Sequence, residues 1–360
     1  MVMLGDAIDY EEKILEVFPS GSIMLNLAIG RQDPRTGDFG FPSGDITEIF
    51  GLNQTGKTLI AETVAKAVQA RNPKYKVLVV SAEPPNVKRM AQYMDPKRTE
   101  LWSFKAMSPS DFSAGVFTTA EKGLDIALSR VLNDMDYKMV IIDSVKALVS
   151  LRETNDGKDL RSSEDAPLPA YRARMLDQFL LKFNAMNRSN ALLMMMNQVS
   201  NSIGPEYRGK LHPRTIGGNN KDHLCNLRIE AKSVPVYAGS KNALQDEDPQ
   251  IGMEVYYRII KNKHAQTTAQ RRANSTFLFE SGFQKEMDLM HMGAALGLIQ
   301  AGGGGYYTFH NGDKVRGKDN VAEYLRVNGD LALSLYDEIV ERRDELFGTK
   351  GKIQARKAIK

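Results

Sequence analysis

The octapeptide GLNQTGKT at residues 51–58 constrains this chain more than any other feature. It has the spacing of a phosphate-binding loop, and from average composition a chance match somewhere in the chain is on the order of one per cent. It also stands where such a loop must stand. DITEIF (45–50) before it reads as a strand. After it, Ile60, Val64 and Val68 fall on one helical face, and Asn72 and Pro73 break that helix. Gly51 and Gly56 allow the backbone to wrap so that its N–H groups face an anion, and the helix N-terminus adds a favourable dipole. The predicted cradle is Gly51, Asn53, Gln54, Thr55, Gly56, Lys57, Thr58 and Leu59, with Lys57 supplying charge to β- and γ-phosphates and Thr58 offering a hydroxyl to Mg²⁺.

Three more apolar runs, KVLVV (76–80), MVII (139–142) and ALLMMM (191–196), are of buried-strand type. Segments 114–133 and 170–188 between them read as helices. This alternation predicts an α/β fold with a mostly parallel central sheet and helices on both faces. HLCNLRIEA, EVYYRIIKNK and STFLFE follow with no long helices between them, which predicts an antiparallel extension. Composition changes near residue 284. A helix over 284–299, a GGGG run at 302–305, a hairpin around Asn311 and Gly312, and two further helices predict a small α+β C-terminal domain. The expected division is a short N-terminal segment (1–20), a core (21–284), the C-terminal domain (285–348) and a basic tail (349–360).

A chain of 360 residues can bury a sizeable core. No stretch approaches a membrane span, and the N-terminus lacks the basic and apolar regions of a signal peptide. Cys225 is the single cysteine, which excludes an internal disulfide and fits a cytoplasmic setting. A net charge of +4 does not by itself imply a polyanionic partner. The tail TKGKIQARKAIK carries only basic charge, and reads either as a solvated tail or as a weak nucleic-acid-attracting arm.

Two acids complete the predicted site. Asp143 ends the strand MVIID at the carboxyl edge, where α/β sheets bind ligands, and can hold the hydration shell of Mg²⁺. Glu83 follows VLVVSA and can orient and deprotonate a water. The run ALLMMM then ends in Asn197 and Gln198, and a long polar segment closes at two adjacent glycines.

The order of these landmarks is what narrows the reading. FPSGSIMLNLAIG, the phosphate loop, VVSAE, IIDSVKAL, ARMLDQ, MMNQVSNSIG, TIGGN and IIKNK make the chain resemble the RecA-family recombinases, bacterial RecA and phage UvsX-type proteins, over residues 15–330. The resemblance implies that Gln198 senses the γ-phosphate of ATP and that two loops, near 152–170 and 199–219, bind DNA. It implies DNA contacts at Arg172, Arg174, Ser200, Ile203, Arg208, Gly217, Gly218 and Asn219, with Lys210 and Arg214 adding charge. Lys261 and Lys263 are expected on one strand face, reaching a neighbour's ATP. The N-terminal segment is expected to pair with a neighbour's sheet edge, and the partners are single- and double-stranded DNA and further copies of the chain.

The chain also departs from that pattern. Val87 and Met90, with Tyr93 nearby, occupy the region where the family stacks an aromatic on adenine, and Ser200 and Ser202 replace basic residues. The N-terminal helix is shortened or missing, which fits a phage-encoded protein, and the tail is basic rather than acidic. The expected function is a DNA-dependent ATPase with ATP and Mg²⁺ that forms filaments on single-stranded DNA and catalyses strand exchange. The rivals are a ring helicase on the same core and a non-catalytic paralogue that loads or caps filaments.

Overall fold

A computed structural model describes residues 15–104, 113–151, 168–200, 214–215, 217–238, 248–264 and 271–347. Several predicted features lie outside the described residues: most of the N-terminal segment, most of both DNA loops including Ile203, Arg208 and Lys210, and the basic tail.

The described chain opens with β1 (Val17–Phe18), α1 (Ile23–Ile29), β2 (Arg31–Gln32) and β3 (Phe39–Pro42), whose strands form a small antiparallel sheet. Ser22 starts α1 by accepting the Leu25 N–H, and Gly30 ends it in the left-handed region. The main sheet follows. β4 (Ile46–Gly51) leads into α2 (Lys57–Arg71), and β5 (Lys76–Ser81) into α3 (Val87–Tyr93). Then come β6 (Thr99–Ser103), β7 (Ser113–Val116), α4 (Ala120–Asn133), β8 (Tyr137–Asp143), α5 (Leu168–Met186) and β9 (Leu192–Ser200). β10 (Arg214–Thr215), α6 (Gly218–Leu224), β11 (Leu227–Tyr237), β12 (Gln250–Asn262), β13 (Arg272–Leu278) and β14 (Gly282–Phe283) complete it.

The spatial order is β14-β13-β12-β11-β4-β9-β8-β5-β6-β7, with β10 paired to β9. From β11 to β7 every neighbour is parallel, while β12, β13 and β14 extend one flank antiparallel. Helices cover both faces, which explains the unbroken apolar run in β9. Met194 and Met196 join the cluster containing Ile60, Val64 and Val68, whereas Leu193 and Met195 join Phe179, Leu180 and Leu128 on the other face.

Local chemistry moved several predicted boundaries. Residues 113–116 form an edge strand, and the helix starts only at Ala120, because Thr119 caps it by accepting the Lys122 N–H. Gly115 is needed in that strand, since a Cβ there would lie 2.5 Å from the Trp102 ring. The segment read as strand from His223 begins as helix α6, and β11 starts at Leu227. β9 does not stop at the amide pair but continues to Ser200, where β10 gives it an antiparallel partner. β12 ends at Asn262, so Lys263 lies just beyond the strand rather than on it.

The chain then forms α7 (Lys285–Ala295), β15 (Gln300–Ala301), β16 (Tyr306–Thr308), β17 (Lys314–Arg316), α8 (Lys318–Val327), α9 (Gly329–Glu341) and α10 (Arg343–Phe347). α7 is shorter than predicted, and three helices rather than two follow the hairpin. Leu289, Met290, Leu325 and Leu335 belong to the same apolar cluster as α1 and α2. One polar group sits at this junction. Asp288 is buried and accepts from the Ser275 hydroxyl (2.9 Å), the Ser22 hydroxyl (3.2 Å) and the Met24 N–H (3.2 Å). Burial pushes its carboxyl up to about 7 despite these bonds. Among the described residues no helix is long and apolar enough to cross a membrane.

Candidate functional site

Parallel register brings the predicted residues to one edge. Gly51 on β4 lies opposite Gln198 on β9, Asp143 on β8 lies opposite Met196, and Ser81 on β5 lies opposite Asp143. Four carboxyl ends therefore deliver residues 51–58, Gln198, Asp143 and Glu83 to the same place.

The loop has the backbone its sequence requires. Gly56 starts α2 at φ 78°, and Gln54 also adopts positive φ, 59°. At Gly51 a Cβ would stand 2.1 Å from the Ala231 carbonyl oxygen, so no larger residue fits. Lys57 is 9% exposed, and its ammonium donates to the carbonyls of Gly51 and Leu52 and to Thr55 Oγ1. Burial lowers its pKa, opposed by the charges of Asp143 and Glu83. Asn53 and Gln54 are exposed, while the Leu59 side chain is buried in the core, so only its N–H is suited to a ligand.

Thr58 Oγ1 donates to Asp143 Oδ2 at 2.7 Å. Burial raises the Asp143 pKa and the charge of Glu83 adds to it, against the Thr58 bond and Lys57. A hydroxyl and a carboxylate are hard oxygen donors, a set that suits Mg²⁺. Glu83 is exposed, and its Oε1 accepts from the Ser144 hydroxyl and, at 3.4 Å, from Gln198 Nε2. Glu83 and Gln198, far apart in sequence, are thus in contact.

Other predicted residues lie elsewhere. Arg172 and Arg174 are on the first half of α5; Arg174 is exposed, and Arg172 donates to the Lys146 carbonyl. Gly217 and Gly218 start α6, and Gly217 packs so tightly on Leu176 and Lys221 that a Cβ would meet Leu176 Cδ2 at 2.5 Å. Ser200 pairs with Arg214, and Asn219 lies in the first turn of α6. Lys261 Nζ donates to the carbonyls of Asp222 (2.6 Å) and His223 (2.9 Å), and Lys263 Nζ to Asn226 Oδ1 (3.1 Å). Val87 is half-buried and Met90 is buried.

Residue patterns missed a buried charge cluster beside the site. Glu48, fully buried on β4, accepts from Lys221 Nζ (2.6 Å), Arg228 Nε (2.7 Å) and Asn197 Nδ2 (2.8 Å). Lys221 is also fully buried and donates to Thr215 Oγ1 at 2.8 Å. Asn197 Oδ1 in turn accepts the Gln198 N–H at 2.9 Å. One carboxylate thus ties together the strand before the phosphate loop, the strand carrying Gln198 and the start of α6. The available signal was an acid in the middle of DITEIF, a strand otherwise suited to burial.

The parallel α/β sheet, with a glycine-bounded loop opening a helix and an acid at the end of the next strand but one, defines a P-loop protein with a RecA-like core. Residues 1–284 match the family model described as RecA N-terminal domain, and the chain belongs to the RecA family. Among curated relatives, Protein RecA of Xanthomonas campestris pv. campestris (strain B100) is 27% identical over 344 residues, which is 95% of this chain and 88% of that protein. Protein RecA of Xylella fastidiosa (strain 9a5c) is 27% identical over 345 residues, covering 95% and 87%.

Proposed function

We propose that this chain is a DNA-dependent ATPase that forms helical filaments on single-stranded DNA, with ATP between subunits, and catalyses homologous pairing and strand exchange with double-stranded DNA. The observation that carries this reading is the contact of Gln198 with Glu83 beside the phosphate loop. It joins the strand that leads to residues 201–213 to the group best placed to activate water.

In this reading the N–H groups of residues 53–59 and the Lys57 ammonium hold the triphosphate. Thr58 and Asp143 would hold Mg²⁺, which would supply positive charge against phosphate oxygens. Glu83, oriented by Ser144, takes the proton of the attacking water. The Gln198 amide interacts with the γ-phosphate in the DNA-competent state, so ATP shifts the population toward ordered DNA loops, and hydrolysis releases it. Arg172 and Arg174, with residues 152–170 and 199–219, contact DNA; Ile203 enters between bases, and Gly217, Gly218 and Asn219 meet phosphate alongside Ser200 and Arg208.

The placement of Lys263 supports action on a neighbour. Lys263 bonds Asn226, whose N–H meets the Ile46 carbonyl at the start of β4. Along the strand that is ~16 Å from Gly51 of the same chain, at about 3.3 Å per residue. In this reading Lys261 and Lys263 serve the ATP of an adjacent subunit, across an interface that includes residues 1–20. Residues 285–348 form a small C-terminal domain that shares its apolar contacts with the core, and the protein works in the bacterial cytoplasm, encoded by the host or a phage.

Electron microscopy with ATP and single-stranded DNA, combined with DNA-stimulated ATP turnover, tests this function. Helical filaments with stimulated turnover are the expected result. Closed rings would favour a helicase, and filament binding without turnover a loading or capping paralogue.

A further inference from the structure

Glu62 is an acid in the wrong place for an ordinary helix face. It lies four residues after Thr58 on α2, on the same side of the helix. Its neighbours Ile60, Ala61, Val64 and Ala65 are buried, and Glu62 itself is 1% exposed. A carboxyl is retained at such a position only when its oxygens are satisfied.

The protein satisfies half of it. Arg89 Nε (3.2 Å) and a terminal guanidinium nitrogen of Arg89 (2.9 Å) both donate to Glu62 Oε1. Oε2 is buried and has no hydrogen-bond partner among the described residues. Arginine–carboxylate pairs frequently place one donor on each oxygen. Here both donors converge on one oxygen, and the other is left for something else.

Glu62 also lines a cavity of about 230 Å³ together with Thr58, Ser81, Glu83, Arg89 and Asp143. Three carboxyl groups, Glu62, Glu83 and Asp143, line it against the one guanidinium of Arg89, so this wall favours a further cation. A magnesium ion demands octahedral oxygen coordination and keeps several of its waters, whose protons point outward and need acceptors. Outer acceptors of this kind orient the inner ligands and contribute measurably to metal affinity.

We propose that Glu62 is an outer-sphere ligand of the divalent cation held at Thr58 and Asp143, with its Oε2 accepting a hydrogen bond from a cation-bound water. Arg89 fixes the carboxylate so that this oxygen remains available. The inference rests on reading residues 51–58 as the phosphate site, and it adds a residue that reads the cation rather than the nucleotide.

The test is a Mg²⁺ titration of fluorescent ATP-analogue binding to the full chain, with the loss of the free Mn²⁺ signal in electron paramagnetic resonance on binding as a second readout. Glu62→Leu removes both oxygens, and Glu62→Gln keeps an acceptor but drops the charge. The expected result is a Mg²⁺ midpoint raised roughly 10–100-fold in Glu62→Leu and by less in Glu62→Gln. Metal-free nucleotide affinity should stay within about twofold of wild type. A wild-type midpoint in Glu62→Leu overturns the proposal. If Glu62→Leu does not fold, Glu62→Gln decides, and an unchanged midpoint and Mn²⁺ affinity in that variant overturn it equally. Failure of the phosphate-site reading looks different, because wild-type binding would then be insensitive to both Mg²⁺ and Lys57→Ala.

Discussion

Lys221→Met probes the buried charge cluster directly. The methionine keeps the length and burial of the side chain and deletes its charge. The loss comprises bonds to Glu48 Oε1 (2.6 Å), Thr215 Oγ1 (2.8 Å) and Asp222 Oδ1 (2.9 Å). Removing one partner of a buried ion pair costs about 3–5 kcal/mol. Glu48 keeps Arg228 at 2.7 Å and Asn197 at 2.8 Å, so the lower end, about 3 kcal/mol, is expected here. At an m of about 3 kcal/mol per molar urea, the midpoint should fall by about 1 M. The single tryptophan, Trp102, lies in β6 of the main sheet and reports the transition.

A pH series sharpens that test. Burial pushes the Glu48 carboxyl upward, but Lys221 and Arg228 outweigh it, and its pKa lies below the ordinary 4.5. A lowered carboxyl stabilises the fold fully above its unfolded pKa and loses that contribution as pH falls through the folded value. Deleting Lys221 leaves burial less opposed, so the acid limb of the stability curve should move to higher pH. A midpoint shift under about 0.3 M urea, with the acid limb unmoved, would refute the assignment of the cluster as a net structural support.

Other substitutions address the site and the buried Asp288. Glu83→Gln should bind ATP and form persistent filaments on DNA while losing turnover by about 10²-fold or more; normal hydrolysis would place the base elsewhere. Gln198→Ala should bind ATP but lose the nucleotide-induced rise in DNA affinity, measured with and without a non-hydrolysable analogue, and an unchanged ratio would remove its sensor role. The double variant Lys261→Ala, Lys263→Ala should bind ATP yet not turn it over. Mixed with Lys57→Ala, it should recover part of the ATPase activity once co-assembly is established; no recovery at any ratio would mean the lysines act within one chain. Asp288, raised to about 7, favours the fold below its unfolded pKa and loses that contribution as pH climbs to about 7. Asp288→Asn should therefore flatten the stability profile between about pH 4 and 7, and a profile identical to wild type would rule out Asp288 as its source.

The sequence by itself determined the features that rest on short-range rules. The glycines at 51 and 56 and the residues between them dictate a loop that opens a helix, and Ile60, Val64 and Val68 orient that helix whatever surrounds it. The apolar runs in β5, β8 and β9 required a strand buried on both faces, which is why the parallel core was legible. The order of motifs from residue 51 to Lys263 was likewise readable, because each is local.

Tertiary structure decided whatever depended on partners far along the chain. β7 forms by pairing with β6, with Gly115 leaving room for the Trp102 ring, and no periodicity within residues 113–116 reveals that. The extension of β9 past Gln198 follows from its pairing with β10 across residues 201–213. The meeting of Gln198 with Glu83 comes from strand order, not from either sequence neighbourhood. The same holds for the buried acids. Glu48 and Glu62 look misplaced in their own segments, and only the arrival of Lys221 and Arg228 on one and Arg89 on the other makes their burial tolerable. Apolar periodicity records which face of an element is dry, because desolvation acts on each residue separately. Charge compensation acts between residues that the chain brings together only on folding, so the pattern of one segment cannot carry it.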